Sequence, residues 1–154
     1  MAEDINAAIR LAAMNALARR EHSRIELERK LKARFSDADD AIESALDRLA
    51  NEGLQSDQRF AESFCRSRVN RGYGQRHICY DLQQKGVTEN VAQAALESLD
   101  VDWFQQALAA LQKKFGTQGS SDLKEKARRQ RFLHYRGFGG DQIRFAMENQ
   151  ETCT

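Results

Sequence analysis

The chain has no proline, one tryptophan and few aromatic residues of any kind, 8% in all. Without proline, no helix is ended by a missing backbone N–H and a locked φ. Helix ends must then come from polar caps and from the nine glycines. Cysteines number three, Cys65, Cys79 and Cys153, with no paired spacing. That argues against a disulfide scaffold and for a reducing cytosol. No apolar run approaches the ~20 residues that span a bilayer. No basic stretch followed by an apolar one opens the chain, so no secretory signal is expected and the cytoplasm is the expected location.

What is present is a repeat. Leu31, Leu82 and Leu133 stand 51 residues apart, each with the same sequel. The stretches read Leu31-Lys-Ala-Arg34-Phe35, Leu82-Gln-Gln-Lys85-Gly86-Val87 and Leu133-His-Tyr-Arg136-Gly137-Phe138. Each is a leucine, two spacers, a base, then a small or apolar stop. Three helices of mean length with three short connections take roughly 50 residues, so the unit reads as three helices. The spacing predicts an all-α protein of three tandem units, over 1–54, 55–99 and 100–150. Arrays of this kind bind large partners along their length.

Net charge is +1, but the charges are grouped. Residues 19–34 hold seven Lys/Arg and three Glu, 59–76 hold five Arg and one Glu, and 124–136 hold six Lys/Arg and one Glu. Residues 37–52 carry six acids against Arg48, and 81–102 carry five acids against Lys85. If equivalent helices stack, this alternation becomes bands, and a basic band meets phosphates or an acidic protein surface.

Element by element, residues 2–20 read as a helix with Ile5, Ile9, Ala13, Ala16 and Leu17 near helical spacing. Ser23-Arg-Ile-Glu26 is a capping box that starts a second helix with Leu27 and Leu31 inward. A third covers about 37–51, with Ile42, Ala45, Leu46 and Leu49 on one side. Ser56 or Asp57 opens the second unit, where Phe60, Phe64 and Val69 form the buried side. Arg71-Gly72-Tyr73-Gly74 breaks that helix. A helix over about 75–85 follows, stopped by Gly86, and Thr88 caps the next, with Val91, Ala95 and Leu99. Asp102 opens the third unit, with Phe104, Leu108, Leu111 and Phe115 recurring. A helix over about 121–136 ends at Gly137, and Gly139-Gly140-Asp141 leads into the last one, with Ile143, Ala146 and Met147. No segment alternates with β-branched residues, so no strand is expected. The last few residues are expected to fray.

Enzyme chemistry finds no foothold. There is no phosphate loop of the Walker type. Gly72-Tyr73-Gly74 and Gly137-Phe138-Gly139 imitate glycine fingerprints, but no strand precedes either, so they read as helix breaks. His77 and Cys79 would need two further ligands to bind zinc. His22, His77 and His134 lie near helix ends, where surface or half-buried structural roles are expected. Trp103 and the phenylalanines sit at core spacing. No cofactor, metal or catalytic residue is therefore expected. The residues left for function are the bases around the helix breaks. They are Arg66, Arg68, Arg71, Tyr73, Arg76 and Lys85 in the second unit, and Lys124, Lys126, Arg128, Arg129, Arg131 and Arg136 in the third. Arginine forks two hydrogen bonds onto a carboxylate or phosphate. Tyr73, between two glycines, is expected to project outward. Recurrence in register with the repeat favours a macromolecular binding face over an ordinary solvated one.

The same residues carry a family resemblance. Ser67-Arg68-Val-Asn-Arg71-Gly72-Tyr73-Gly74-Gln-Arg76-His77-Ile78-Cys-Tyr-Asp81-Leu82-Gln-Gln-Lys85-Gly86-Val87 resembles the signature of the RecX family, bacterial regulators of the RecA recombinase. Gly53-Leu54-Gln-Ser-Asp57-Gln-Arg59-Phe60-Ala61 resembles the family's entry into its second unit, and Lys126-Ala-Arg-Arg-Gln-Arg131-Phe132-Leu133-His-Tyr-Arg136-Gly137-Phe138 its third-unit motif. Arg20-Glu21-His22-Ser23-Arg-Ile-Glu26-Leu27 also fits. The resemblance implies an elongated, curved array of three tandem three-helix units. It implies a cytoplasmic non-enzyme that docks in the helical groove of the RecA filament. There it inhibits ATP hydrolysis and strand exchange, modulating recombination, DNA repair and the SOS response, with some affinity for single- or double-stranded DNA. The chain departs from the family in Leu54, Ser56 and His77, where tyrosine, an acid and arginine are usual. Two other readings stand beside this one: a direct DNA-binding protein of helix-turn-helix type, and a helical scaffold joining two cytosolic proteins.

Overall fold

The structure, a computed structural model, describes residues 2–151, so Cys153 and the terminus expected to fray lie outside the described residues. Nine α-helices make up its regular structure and no strand occurs among the described residues. They are α1 (Ala2–Arg19), α2 (Arg24–Arg34), α3 (Asp39–Asn51), α4 (Asp57–Asn70), α5 (Gln75–Gln84), α6 (Glu89–Leu99), α7 (Trp103–Phe115), α8 (Leu123–Tyr135) and α9 (Gly140–Asn149).

The caps do what proline cannot do here. Ser23 Oγ accepts from Glu26 N while Ser23 N donates to the Glu26 carboxylate, a complete capping box at α2. Asp102 caps α7 and Asp122 caps α8 through side-chain oxygens. The repeated Leu-x-x-base-Gly-apolar motif is one C-terminal cap used twice. Gly86 N donates to Gln83 O and Val87 N to Leu82 O, both at 3.0 Å. At α8, Gly137 N donates to His134 O at 3.0 Å and Phe138 N to Leu133 O at 3.2 Å. This is the Schellman pattern, whose left-handed residue is glycine in both cases, φ 77° and 97°. The first copy has Phe35 in place of glycine. There the left-handed residue is Asp37, two positions later, with φ 60°.

The chain divides into two compact units: residues up to Ser63 with Leu82–Ala92, and Phe64–Asp81 with residues from Gln93 onward. Helices α4, α5 and α6 therefore contribute residues to both. The first unit packs Ile9, Ala13, Leu27, Leu31, Ile42, Leu46 and Leu49 into one core. Beneath α2, Gln55 Nε2 donates to His22 O and to Asp57 Oδ1, which also accepts from Arg24 N. The second unit packs Ala107, Leu108, Ala110, Leu111, Leu133, Phe138 and Ala146. Leu31, Leu82 and Leu133, the three markers of the repeat, are all buried.

Several expected core positions are not core. Ile5 is 44% exposed and Phe104 is 42% exposed, its ring edge-on to Phe145 instead. In α4 the buried side is Phe60, Ala61 and Cys65, while Phe64 and Val69 are half-buried. In α6 it is Ala92, Ala95 and Leu96, one residue round from Val91. Neighbouring positions on a helix differ by ~100°, so which of two adjacent apolar residues points inward depends on the neighbour's approach. His22, expected at the surface or half-buried, is 1% exposed. Its Nδ1–H donates to Arg20 O at 3.0 Å and its Nε2 accepts from Lys30 Nζ at 2.8 Å, so it sits neutral in the first unit. Burial is the main cause that holds its pKa below 6.5, helped by the charges of Arg20 and Lys30.

Candidate partner-binding face

Within the second compact unit, two helix breaks meet. At the end of α4, Gly72 N donates to Val69 O and Tyr73 N to Arg68 O, the Schellman pattern again. The chain then runs past the end of α8. Gly74 N donates to Arg136 O at 2.6 Å and Arg76 N to Gly137 O at 3.1 Å. A side chain has no room at this crossing. A Cβ on Gly74 would lie 2.5 Å from Gly137 C, and one on Gly137 would lie 2.5 Å from His77 Cβ. The two glycine pairs thus break helices, as expected. They also join the α4–α5 turn to the α8–α9 turn, which the sequence did not reveal.

That crossing orders the surrounding side chains into a ladder of cations and rings. Arg68 Cζ lies 4.7 Å from the Phe64 ring centroid and 5.7 Å from Tyr73. Arg136 Cζ lies 4.8 Å from Tyr73 on one side and 4.9 Å from Phe132 on the other. Phe132 meets Phe115 edge-on at 5.4 Å, and Arg128 sits 5.2 Å over Phe115. Stacking of this kind fixes a guanidinium in one plane while leaving its N–H edge available to an anion. Arg136 uses part of that edge internally, donating to Arg71 O at 2.8 Å. Tyr73 does not project freely, contrary to the expectation from its flanking glycines. It is half-buried between the two arginines, with His77 4.5 Å away. His77 Nδ1 lies 3.3 Å from Asp81 Oδ2, close enough for charge pairing but out of line for a hydrogen bond.

The remaining predicted residues divide. Arg66, Arg71, Arg76, Lys124, Lys126 and Arg131 are exposed, and so is Arg128, which pairs with Glu125 at 3.2 Å. Arg129 belongs to the interior. It is 9% exposed, pairs with Glu125 at 3.0 Å and donates to Gln118 O and to Gln150 Oε1. Lys85 lies in the first compact unit, its ammonium 3.3 Å from Glu26. The first basic stretch is largely consumed in the same way, by Arg20–Glu26, Arg24–Asp47 and Lys32–Glu28 pairs. Burial raises the pKa of Glu26, but bonds from Arg20 and Ser23 N–H, with the charges of Arg20 and Lys85, outweigh it and bring it below 4.5. An even set of three basic bands is therefore not what the side chains form.

Lys113 and Lys114, at the end of α7, escaped the sequence reading. Glu62 and Ser63 stand one period earlier, so the repeat hides them. Both are exposed beside Arg71 and Arg136, lining a cleft of about 320 Å³. Among the described residues no three His, Cys, Asp or Glu side chains are grouped to hold a metal ion. None of the described helices is long and apolar enough to cross a membrane.

Helices in successive trios, with one C-terminal cap repeated at the 51-residue period, define a protein of tandem three-helix domains. Comparison with known proteins narrows the class. The first, second and third three-helix domains of RecX match residues 10–49, 56–96 and 100–147. The regulatory protein RecX of Chromohalobacter salexigens is 51% identical over 135 residues, 88% of either chain. That of Ectopseudomonas mendocina is 45% identical over 136 residues, 88% of this chain and 90% of the relative. The crystal structure of RecX from Lactobacillus salivarius superposes with a TM-score of 0.78 at 24% identity, covering 98% of this chain and 99% of that one. A second crystal structure of a regulatory protein RecX gives 0.77 at 21% identity, covering 96% and 73%. The chain belongs to the RecX family of regulatory proteins.

Proposed function

We propose that this chain binds the RecA–single-stranded-DNA filament in its helical groove and inhibits ATP hydrolysis and strand exchange. It thereby modulates recombination and DNA repair in the cytoplasm. The observation that carries the reading is the match of all three domains to the family, with relatives near half identity along most of the chain. A filament repeats its surface at each protomer, so a protein of repeated domains sums modest contacts along it. The mechanism needs no catalytic group here: a bound chain holds neighbouring subunits out of the geometry for hydrolysis or blocks the second DNA.

The contact surface we assign is the exposed cationic set of the second compact unit. It comprises Arg66, Arg71 and Arg76, with Arg68, Tyr73 and Arg136 held in the ladder, and Lys124, Lys126, Arg128 and Arg131 along α8. Arg129 and Lys85 are committed to Glu125 and Glu26. The test is steady-state ATPase of RecA on poly(dT), titrated with this protein. The parent lowers the rate, and Arg71→Glu/Arg76→Glu raises the concentration for half-inhibition about tenfold or more while the helical circular dichroism stays unchanged. Inhibition equal to the parent's removes this face. No inhibition by the parent removes the function, and tight, steeply salt-dependent binding to bare duplex DNA then favours the direct DNA-binding reading.

A further inference from the structure

Away from the cationic face, the first compact unit carries an open hollow between the start of α1 and the start of α3. Its volume is about 480 Å³. Ile5, Ala38 and Ala41 line it with apolar surface, and Ile5 is left 44% exposed there. Asp37, Asp39 and Asp40 line the rest, all three exposed, and no base lines the hollow among the described residues. A simpler account is that these acids only serve the N-terminus of α3. Ala38 gives that end no side-chain cap, and a helix N-terminus presents roughly +0.5 charge. The three carboxylates exceed that by about 2.5 charges. Lys32, a base whose charge reaches Asp39, is paired with Glu28 at 2.8 Å. Apolar surface bordered by exposed negative charge is what remains.

The opposite shape and the opposite charge occur together at the start of α8, in the second compact unit. Leu123, the first residue of that helix, is 79% exposed. Lys124 lies about 100° round the helix to one side of it and Lys126 about 60° to the other, both exposed. Asp122 caps α8, and Glu125 is held by Arg128 and Arg129. One exposed leucine is ordinary by itself. A leucine between two exposed lysines has a counterpart, however, in an apolar hollow between exposed aspartates, and every chain carries both. We propose that the start of α8 of one chain docks in the α1–α3 hollow of a second copy. Leu123 enters against Ile5, Ala38 and Ala41, and Lys124 and Lys126 meet Asp39 and Asp40. A knob on one face and a hollow on another make a heterologous contact, which closes to a ring or runs on as a chain. So few residues make a weak contact, with a Kd of about 100 µM. It takes up Lys124 and Lys126, so a docked chain meets a filament with fewer available cations. It forms without recombinase, and its failure leaves filament inhibition untouched.

The experiment is sedimentation velocity of the full chain alone, over concentrations from about 5 to 500 µM that bracket this Kd. At about 0.1 M salt the sedimentation coefficient is expected to rise with concentration. At about 1 M salt, where the Debye length shortens from about 10 to 3 Å, it is expected to fall back to the monomer value. Leu123→Ser, at an exposed position and without change of charge, is expected to weaken association about tenfold. Asp39→Lys/Asp40→Lys and Lys124→Glu/Lys126→Glu are each expected to stay monomeric, and their equimolar mixture to associate like the parent. In the mixture each hollow again finds a knob of opposite charge, and recovery shows that both variants fold. Lys113→Glu/Lys114→Glu, an equal charge change elsewhere in the second unit, is expected to associate like the parent. A parent that stays monomeric at every concentration overturns the proposal, as does parent-like association of Leu123→Ser. A monomeric mixture overturns it too. Association that strengthens with salt, or that the Lys113→Glu/Lys114→Glu control loses equally, overturns it in favour of another face.

Discussion

Replacing Gly74 by alanine tests whether the crossing of the two helix breaks holds the second compact unit together. Gly74 has no left-handed φ, so alanine costs nothing in backbone conformation there. Its Cβ, however, would lie 2.5 Å from Gly137 C and 2.6 Å from Gly137 O. Backbone cannot swing aside as a side chain does, so the turn must separate or the Gly74 N–H···O=C Arg136 bond must lengthen. Overpacking of this kind costs about 2 kcal/mol. Gly53→Ala is the matched control. Its φ is 75° and nothing lies within 4 Å of the added Cβ, so it carries only the left-handed cost of about 1 kcal/mol. Gly137→Ala combines both penalties, φ 97° and contact with His77, for about 3 kcal/mol or more. Thermal melts followed at 222 nm read these differences, at about 2–4 °C per kcal/mol for a chain of this size. The expected order of loss is Gly53→Ala, then Gly74→Ala, then Gly137→Ala. A Gly74→Ala melt equal to or above the control refutes the close crossing. So does a Gly137→Ala melt equal to the control, which would leave only the φ term.

Arg129→Met removes a buried guanidinium, leaves Gln118 O and Gln150 Oε1 without its N–H donor and leaves Glu125 with Arg128 alone, and is expected to cost about 3 kcal/mol in urea unfolding. Arg131→Met, one exposed position along α8, is expected to stay within about 0.5 kcal/mol, and equal losses would contradict the interior role of Arg129. His22 favours its neutral form when folded, so below pH 6.5 the unfolded chain binds more protons than the folded one. The stability from this residue is complete above pH 6.5 and is lost as pH falls through the folded pKa. The urea midpoint of the parent is expected to fall between pH 7.5 and 5.5 more steeply than that of His22→Asn, and parallel curves would show that His22 is not buried neutral.

The repeat made much of the architecture legible. Helix ends depend on a few local residues, so Ser23-x-x-Glu26, Asp102 and the two Leu-x-x-base-Gly copies mark four termini by local chemistry alone. Faces were less legible. Ile5, Phe64 and Phe104 have the right spacing for burial and are not fully buried, because burial needs neighbours on every side and the contacts of Phe64 with Arg68 and of Phe104 with Phe145 leave part of each ring open. Charge was the least legible. Arg129 and Arg131 sit two residues apart in the same basic run, yet one is bonded inside and the other is free at the surface.

The amino-acid order by itself determined that this is a helical chain with a 51-residue unit, and where most helices start and stop, since capping and left-handed glycine act over a turn or less. Only the tertiary structure decided which cations are spent and which remain. It brought Gly74 against Gly137, 63 positions away, and so stacked Arg68, Tyr73, Arg136 and Phe132 beside two lysines of α7 that no periodicity marks. Contacts at that separation depend on how helices approach one another, and a linear pattern carries no record of that.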